Sequence, residues 1–330
     1  MKNIVFIDSA EKQFKGNIHM HTTRSDGTLL PEEAIGKFRD AGYDFVMVSD
    51  HEIYWDNDAY DTDNFLVLGG TETSILMNKD YNWPLNHYRR DLENRRNQHT
   101  YMHYNCIKDY SVENKGQYFN HDERVPQMTD RGIDSWNEQV HIMRERGNIV
   151  ILNHPHWSRL APEMMLASQN ITAFEVWNTG DINECGGHSD EEIWDYCLTH
   201  GKRMLAVAAD DSHRYTTDFN VGFTMIHCTE FSKSAICRAF KEGKFYASCG
   251  PVVHDMRIED GILKIQSSPI RHAKIIGYDA DGFNKCFADS QLFESLEWEI
   301  NTQMRYFRVE LIDENGNKAW LQPVFVEDIL

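Results

Sequence analysis

The sequence predicts an α/β fold that gives way to an all-β segment toward its C-terminal end. Three observations carry this. From Asn17 to about Gly243, short apolar runs alternate with helix-like segments, the pattern of βα units around a parallel sheet. The helix-like segments end on glycine, the usual stop signal. After Gly250 the helix-like segments cease, and strand-like runs follow one another across turns such as Asp281-Gly282 and Asn315-Gly316.

In chain order, the predicted strands of the first part are 17–21, 44–49, 65–69, 148–153, 173–177, 205–208 and 221–228. The helix over 31–41 opens with Pro31 and Glu32-Glu33 and stops at Gly42, with proline at the first turn and acids near the positive end of the helix dipole. Helices over 134–146, 191–200 and 232–242 stop at Gly147, Gly201 and Gly243. Residues 76–130 are polar with weak periodicity and read as an insertion of irregular or helical structure. Beyond the hinge-like Tyr246–Pro251 segment, strands are expected at 252–258, 263–266, 271–277, 296–300, 306–312 and 320–326. The expected organisation is therefore a first domain over 1–250 and a small all-β, sandwich-like domain over 251–330.

Composition narrows the function. The 330 residues are 41% hydrophobic and 26% charged, ordinary for a globular protein. No apolar run approaches the roughly 20 residues a bilayer span needs, and Asp8 and Glu11 interrupt any signal-peptide core, so a cytoplasmic location without membrane attachment is expected. Seven scattered cysteines without a CxxC pair argue against a disulfide framework and a cysteine zinc site. Any metal site must then be built from nitrogen and oxygen. With 33 basic and 52 acidic residues the formal charge is −19, a surface that repels polynucleotides. The densest basic patch, Arg89-Arg90 with Arg95-Arg96, is interrupted by Asp91 and Glu93. A small anionic substrate remains compatible if bound cations reverse the local field.

The sixteen histidines are informative through their positions. His19 and His21 stand two residues apart on an expected strand, so both rings share one face and can reach one ion at about 2.1 Å. The same spacing recurs at Asp211-Ser212-His213. Asp26-Gly27 follows the first pair, His51 ends the second strand, Glu72 closes the third and His154 ends the strand over 148–153. Each residue alone has an ordinary alternative: an HxH pair on the surface, aspartates as caps or turn residues, a histidine satisfied at a strand end. The recurrence of ligand-type residues at strand ends, where open α/β sheets and barrels place functional groups, favours a shared site.

The stretches His19-Met-His21-Thr-Thr-Arg-Ser-Asp26-Gly, Val48-Ser-Asp50-His51, Gly70-Thr-Glu72, His103-Tyr-Asn105, Asn153-His154-Pro155 and Asp211-Ser-His213 resemble, in content and order, the PHP (polymerase and histidinol phosphatase) superfamily of metal-dependent phosphoesterases, over residues 17 to about 250. The resemblance implies a distorted (β/α)7 barrel with two or three divalent ions at its C-terminal mouth. By it, His19, His21, Glu72 and Asp211 would hold one ion; Glu72 would bridge to a second held by His103 and His154; Asp26, His51 and His213 would hold a third. His99 competes with His103. Asp50 is expected to support its neighbours. A histidine-rich nitrogen and oxygen set suits zinc, manganese or iron.

The expected activity is a metal-dependent hydrolase, a phosphoesterase that cleaves a small phosphorylated metabolite or nucleotide through a metal-bridging hydroxide and releases phosphate. Glu72, Asp211 and His213 stand at its catalytic centre. Arg24 and Arg159 are candidates to clamp a phosphate, with surface ion pairs as the alternative, and Asn178 and Glu175 are weaker candidates. Aromatics in or near the insertion (Trp55, Tyr81, Trp83, Tyr101 and Tyr104) could line a pocket or simply pack. Two other readings keep the fold: a carbamate, ester or amide hydrolase using the same metals, and a non-catalytic metal-stabilised binding module.

Overall fold

The computed structural model describes residues 1–75, 102–113, 117–128, 132–278 and 285–330. Most of the expected insertion, including Tyr81, Trp83, His99, Tyr101 and the paired arginines, lies outside the described residues, as does the Asp281-Gly282 turn. The strands are β1 (Ile4–Ile7), β2 (Lys12–Asn17), β3 (Phe45–Met47), β4 (Leu66–Leu68), β5 (Gly70–Ser74), β6 (His103–Lys108), β7 (Asn148–Leu152), β8 (Ala173–Asn178), β9 (Leu205–Ala209), β10 (Phe223–Cys228), β11 (Phe245–Ser248), β12 (Val253–Glu259), β13 (Ile262–Gly277), β14 (Lys285–Glu299), β15 (Tyr306–Ile312), β16 (Lys318–Trp320) and β17 (Val324–Phe325). The helices are α1 (Pro31–Asp40), α2 (Ile133–Glu145), α3 (Pro162–Ala167), α4 (Thr179–Glu184), α5 (Glu191–Thr199), α6 (Lys233–Glu242) and α7 (Val326–Ile329). Among the described residues, no helix is long and apolar enough to cross a membrane.

The fold is mixed α/β, and its strands form two open sheets rather than one closed barrel. Twelve strands make the larger sheet, along the path β1-β12-β13-β15-β16-β11-β10-β2-β3-β4 with β14 and β17 paired at its side; β5 to β9 make the smaller, in sequence order. Nor are the sheets all parallel. β2, β3 and β4 run parallel, as do β7, β8 and β9, but β6 lies antiparallel between β5 and β7, and β10 is antiparallel to β2 and β11. Apolar periodicity reports burial, not strand direction, so it could not show this.

Backbone bonds outside the strands lace the two sheets together at one rim. Asp211 N–H donates to the His19 carbonyl (2.9 Å), His21 N–H to Ser212 (2.9 Å), Ser49 N–H to Met20 (3.0 Å) and Glu72 N–H to Ser49 (3.0 Å). Below that rim, Ile18, Met47, Leu68, Ile107, Ile151 and Val207 share one buried cluster drawn from both sheets. Amphipathic α6 packs Ile236 and Phe240 into the same cluster at the far end, where Cys237 Sγ lies 3.3 Å from the Lys108 carbonyl. Its ends follow its sequence: the Ser232 hydroxyl accepts the Ala235 N–H, and Gly243 adopts φ 72°.

Three strand expectations change. β2 ends at Asn17, so His19 and His21 lie just past it, although Met20 still bridges to Ser212 and the alternation of faces continues. The runs 263–266 and 271–277 are one strand, β13, whose register shifts between Gln266 and His272. Pro269 sits there, as proline within a sheet requires a bulge or an edge. The run 320–326 divides into β16, β17 and the start of α7. The strands of 251–330 continue the larger sheet through β11 and β16, and β1 pairs with β12. Buried Arg308 on β15 grips Asp195 of α5 with two hydrogen bonds of 2.6 and 2.7 Å, tying this region to the helical layer.

Candidate metal centre

The rim gathers His19, His21, Asp26, His51, Glu72, His103, His154, Asp211 and His213; all but the fully buried His19 and His21 line one cavity. Their ligand atoms form three overlapping groups: His19, His21, Glu72 and Asp211; His51, Glu72 and His103; and His21, Asp26, His51 and His213. The first has the membership the resemblance implied. The second contains His51, while His154 approaches the same carboxylate from the side, with Nε2 3.3 Å from Glu72 Oε1. The third gains His21. His103 reaches the rim although it begins its strand, because antiparallel β6 starts where β5 and β7 end, with Ser74 and His103 as register partners.

In the first group, His19 Nε2 lies 3.2 Å from Glu72 Oε2 and 3.0 Å from Asp211 Oδ1, and His21 Nε2 lies 3.1 and 3.2 Å from the same two oxygens. Yet His19 Nε2, His21 Nε2 and Asp211 Oδ1 are buried without a hydrogen-bond partner among the described residues. Buried polar atoms are nearly always satisfied, so two imidazole nitrogens and one Asp211 oxygen left without hydrogen bonds, with Glu72 Oε2 beside them, fit a coordination shell. The donor set fits a divalent ion of the zinc, manganese or iron type.

The surroundings fix this arrangement. Glu175, fully buried on β8, places Oε1 2.7 Å from His19 Nδ1, so Nε2 faces the cluster; its Oε2 accepts from the His154 backbone N–H (2.9 Å) and from Asn178 Nδ2 (2.8 Å). Asn178 Nδ2 also donates to Asp211 Oδ2 (3.1 Å). Asp50 accepts from Thr22 N–H (2.7 Å) and from the Ser25 hydroxyl (2.8 Å), holding the loop that carries Asp26. At Gly27, a Cβ would stand 2.3 Å from the His21 carbonyl oxygen, which explains glycine after Asp26. Asp210, beside Asp211, accepts the backbone N–H groups of Asn220, Val221 and Gly222. His154 and Asp211 hold φ at 25° and 55°, strain of a kind that clusters at functional sites.

Electrostatics agree with cation binding. Burial opposes a charge on His21, but Asp211 and Glu72 outweigh it and push its pKa up to about 10. Burial likewise opposes charge on His19, where Asp211, Glu175 and Glu72 prevail. It would also raise Glu72 and Asp211, yet the histidines around each hold both well below the usual carboxylate range. His51 and His103 are shifted down, because burial exceeds the pull of Glu72.

The sequence-predicted substrate contacts fare differently. Arg24 is committed to Asp122 (2.6 Å), the Tyr54 carbonyl (3.1 Å) and Asp50 (3.3 Å), and Arg159 folds onto His156; neither lines the cavity. Asn178 positions Glu175 and Asp211 and caps α4 through the Asp181 N–H. Trp55 and Tyr104 are packing residues, buried at 2% and 0% exposure. The cavity, about 510 Å³, is instead completed by Trp157, Asp181, Glu184, Cys185 and Arg214. Arg214 is the only arginine or lysine among the described residues lining it, and adjacency to the Asp211-Ser-His213 motif was its one sequence signal.

No family model matches the chain, and no curated protein does. Solved structures similar to it include a two-domain protein from Bacteroides vulgatus containing a predicted PHP-like metal-dependent phosphoesterase, aligned over 96% of both chains at 13% identity with a TM-score of 0.48. A candidate metal-dependent phosphoesterase from Bifidobacterium adolescentis aligns over 60% of this chain and 87% of its own at 15% identity, TM-score 0.36. An amidohydrolase from Chromobacterium violaceum, with bound sulfate and no metal, aligns over 62% of this chain and 89% of its own at 14% identity, TM-score 0.36.

Proposed function

We propose that this chain is a metal-dependent hydrolase of the PHP superfamily that cleaves a small phosphoester and releases phosphate. The observation that carries this is the convergence of His19, His21, Glu72 and Asp211 on one point, where His19 Nε2, His21 Nε2 and Asp211 Oδ1 are buried without hydrogen bonds among the described residues. The order of the six motifs supports it. Two or three zinc, manganese or iron ions would be held by the three groups, with Glu72 shared between two of them and Asp211 and His213 beside it. Bound there, they supply a Lewis acid and an activated water near neutral pH.

The protein's own part is binding and orientation. Glu175 fixes the face His19 presents, and Asn178 fixes Asp211. Arg214, 3.3 Å from Glu184, is the side chain able to turn onto a phosphate as a planar fork. A second reading, hydrolysis of a carbamate, ester or amide, draws support from the same wall: Asp181 and Glu184 line the cavity and suit a neutral substrate.

The test combines metal analysis of the purified protein with a panel of aryl phosphates, phosphodiesters, aryl esters and carbamates. Phosphate release, lost in Asp211→Asn, is expected. Turnover of carbonyl substrates alone would refute the phosphoester reading, and fewer than two ions per chain would refute the shared role of Glu72.

A further inference from the structure

Among the tryptophans of the described residues, Trp136, Trp194 and Trp320 are wholly buried, Trp55 nearly so, and Trp177 and Trp298 partly, whereas Trp157 is 37% exposed and lines the cavity over the ligand cluster. Exposing an indole is unfavourable, so its placement asks for a cause. Chance mobility is not one. Trp157 lies on the tight turn that leaves β7, where Ser158 N–H donates to the His154 carbonyl (3.1 Å) and Leu160 N–H to the Pro155 carbonyl (3.1 Å). Cys185 lines the same cavity. The ring stands edge-on to His154, with centroids 5.0 Å apart at 71°, and tilted against His103 at 5.5 Å. Both histidines touch Glu72.

The adjoining wall, on α4, is acidic, although Asp181 Oδ2 lies 3.0 Å from His156 Nδ1. Asp181 is 3% exposed, and its Oδ1 is buried without a hydrogen-bond partner. Glu184 is paired with Arg214. Gly180, also in the lining, leaves room where a Cβ would come within 3.1 Å of the Asp211 carbonyl. A cavity of about 510 Å³ lies within the range of roughly 300–1,000 Å³ that holds a whole organic ligand rather than a lone anion.

We infer that Trp157 is a specificity-determining residue: the substrate carries a planar ring that stacks on its indole while a single phosphoryl group lies at the ligand cluster. This rests on the phosphoester reading and sharpens it. The carboxylates of Asp181 and Glu184 disfavour a second phosphate on the ring side, so the class is a monophosphorylated compound with a neutral or cationic aromatic group. Offset or edge-to-face contact with an indole favours a flat ring over a puckered one of equal bulk.

Binding of phenylphosphonate, cyclohexylphosphonate and methylphosphonate to the metal-loaded full chain, measured by calorimetry, reads this without turnover. Phenylphosphonate is expected to bind about tenfold tighter than methylphosphonate, with the cyclohexyl compound between them. Trp157→Ala should reduce that preference to about twofold or less, while Trp157→Phe keeps most of it and controls for loss of fold. A wild-type protein that binds the three alike, or a Trp157→Ala variant that keeps the full preference, overturns the inference. Inorganic phosphate separates the two levels. If it binds but no ring is preferred, only the stacking role fails; if neither it nor any phosphonate binds, the phosphoester reading fails and takes the stacking role with it.

Discussion

Replacing Glu175 with glutamine changes no shape and removes one charge, which isolates what the buried carboxylate does. Its two oxygens face three donors: His19 Nδ1 at 2.7 Å, the His154 backbone N–H at 2.9 Å and Asn178 Nδ2 at 2.8 Å. A carboxylate accepts all three, whereas an amide has a single acceptor oxygen. With the amide oxygen toward His19, its NH2 confronts the His154 N–H and the Asn178 amide. With the NH2 toward His19, the imidazole must carry its proton on Nε2, aimed at the ligand point. Either orientation disturbs a proposed ligand. Partners of this kind are worth about 10- to 100-fold in metal affinity, or about 1.4–2.7 kcal/mol. Competition for zinc against a chromophoric chelator, together with the metal-to-protein ratio, measures it, with circular dichroism as the control for folding. A Glu175→Gln protein that binds zinc within twofold of wild type at unchanged stoichiometry would refute the orienting role.

Arg214→Gln is expected to weaken binding of inorganic phosphate to the metal-loaded protein by about three- to tenfold, since a charge-assisted contact at a half-open site is lost; Arg24→Gln and Arg159→Gln should shift that affinity by less than twofold. His227 is buried with both ring nitrogens unpartnered, and burial pushes its pKa down from 6.5 to about 4. Because the unfolded chain takes up this proton first, the contribution is fully present above pH 6.5 and lost as pH falls toward 4, roughly 3 kcal/mol in all. Urea melts at pH 7 and pH 5 should therefore show a smaller acid loss in His227→Leu, by about 2 kcal/mol, and equal losses would contradict this. Arg308→Met leaves Glu310, 3% exposed, with Lys274 at 3.8 Å as its only cation among the described residues, and should lower the unfolding free energy by about 3–5 kcal/mol. Arg308→Met/Glu310→Leu should recover part of that loss in the same denaturant titration.

Much of the site was readable because a ligand set needs rare residue types at element ends. The His19–His21 spacing, Glu72 and Asp211 survive the finding that β2 stops at Asn17, since the extended chain keeps its alternation past the last ladder bond. Helices α1, α2, α5 and α6 were delimited to within one residue at each end by proline, acidic first turns and terminal glycines. Three things were not legible. Strand β6 itself was missed, because 103–108 fell in the polar stretch read as an irregular or helical insertion, and strand direction leaves no mark in hydropathy that could have shown its reversal. Arg24 and Arg159 stood near motifs, but arginine pairs with whatever acceptor lies within reach, and that depends on distant chain. Trp157, Asp181 and Arg214 line one cavity from the turn after β7, from α4 and from the loop after β9, so no spacing could group them. Glu175 did leave a signal: a carboxylate inside the apolar run Ala173–Asn178 has to be answered by a partner.

The reversal of β6 also bears on how such a protein can diversify. β5 and β6 are register neighbours, with Ser74 opposite His103 at the rim, so the chain between them leaves and returns at one clamped pair beside the ligands. Lengthening a connection held at both ends costs little, about 0.6 kcal/mol of closure entropy per doubling. Insertions there can accumulate without moving Glu72 or His103, whose positions are set by the ladder and not by the connection. Selection can therefore act on that segment separately from the metal-binding chemistry, and chains with the same nine ligand-type residues can differ widely in length at this one junction.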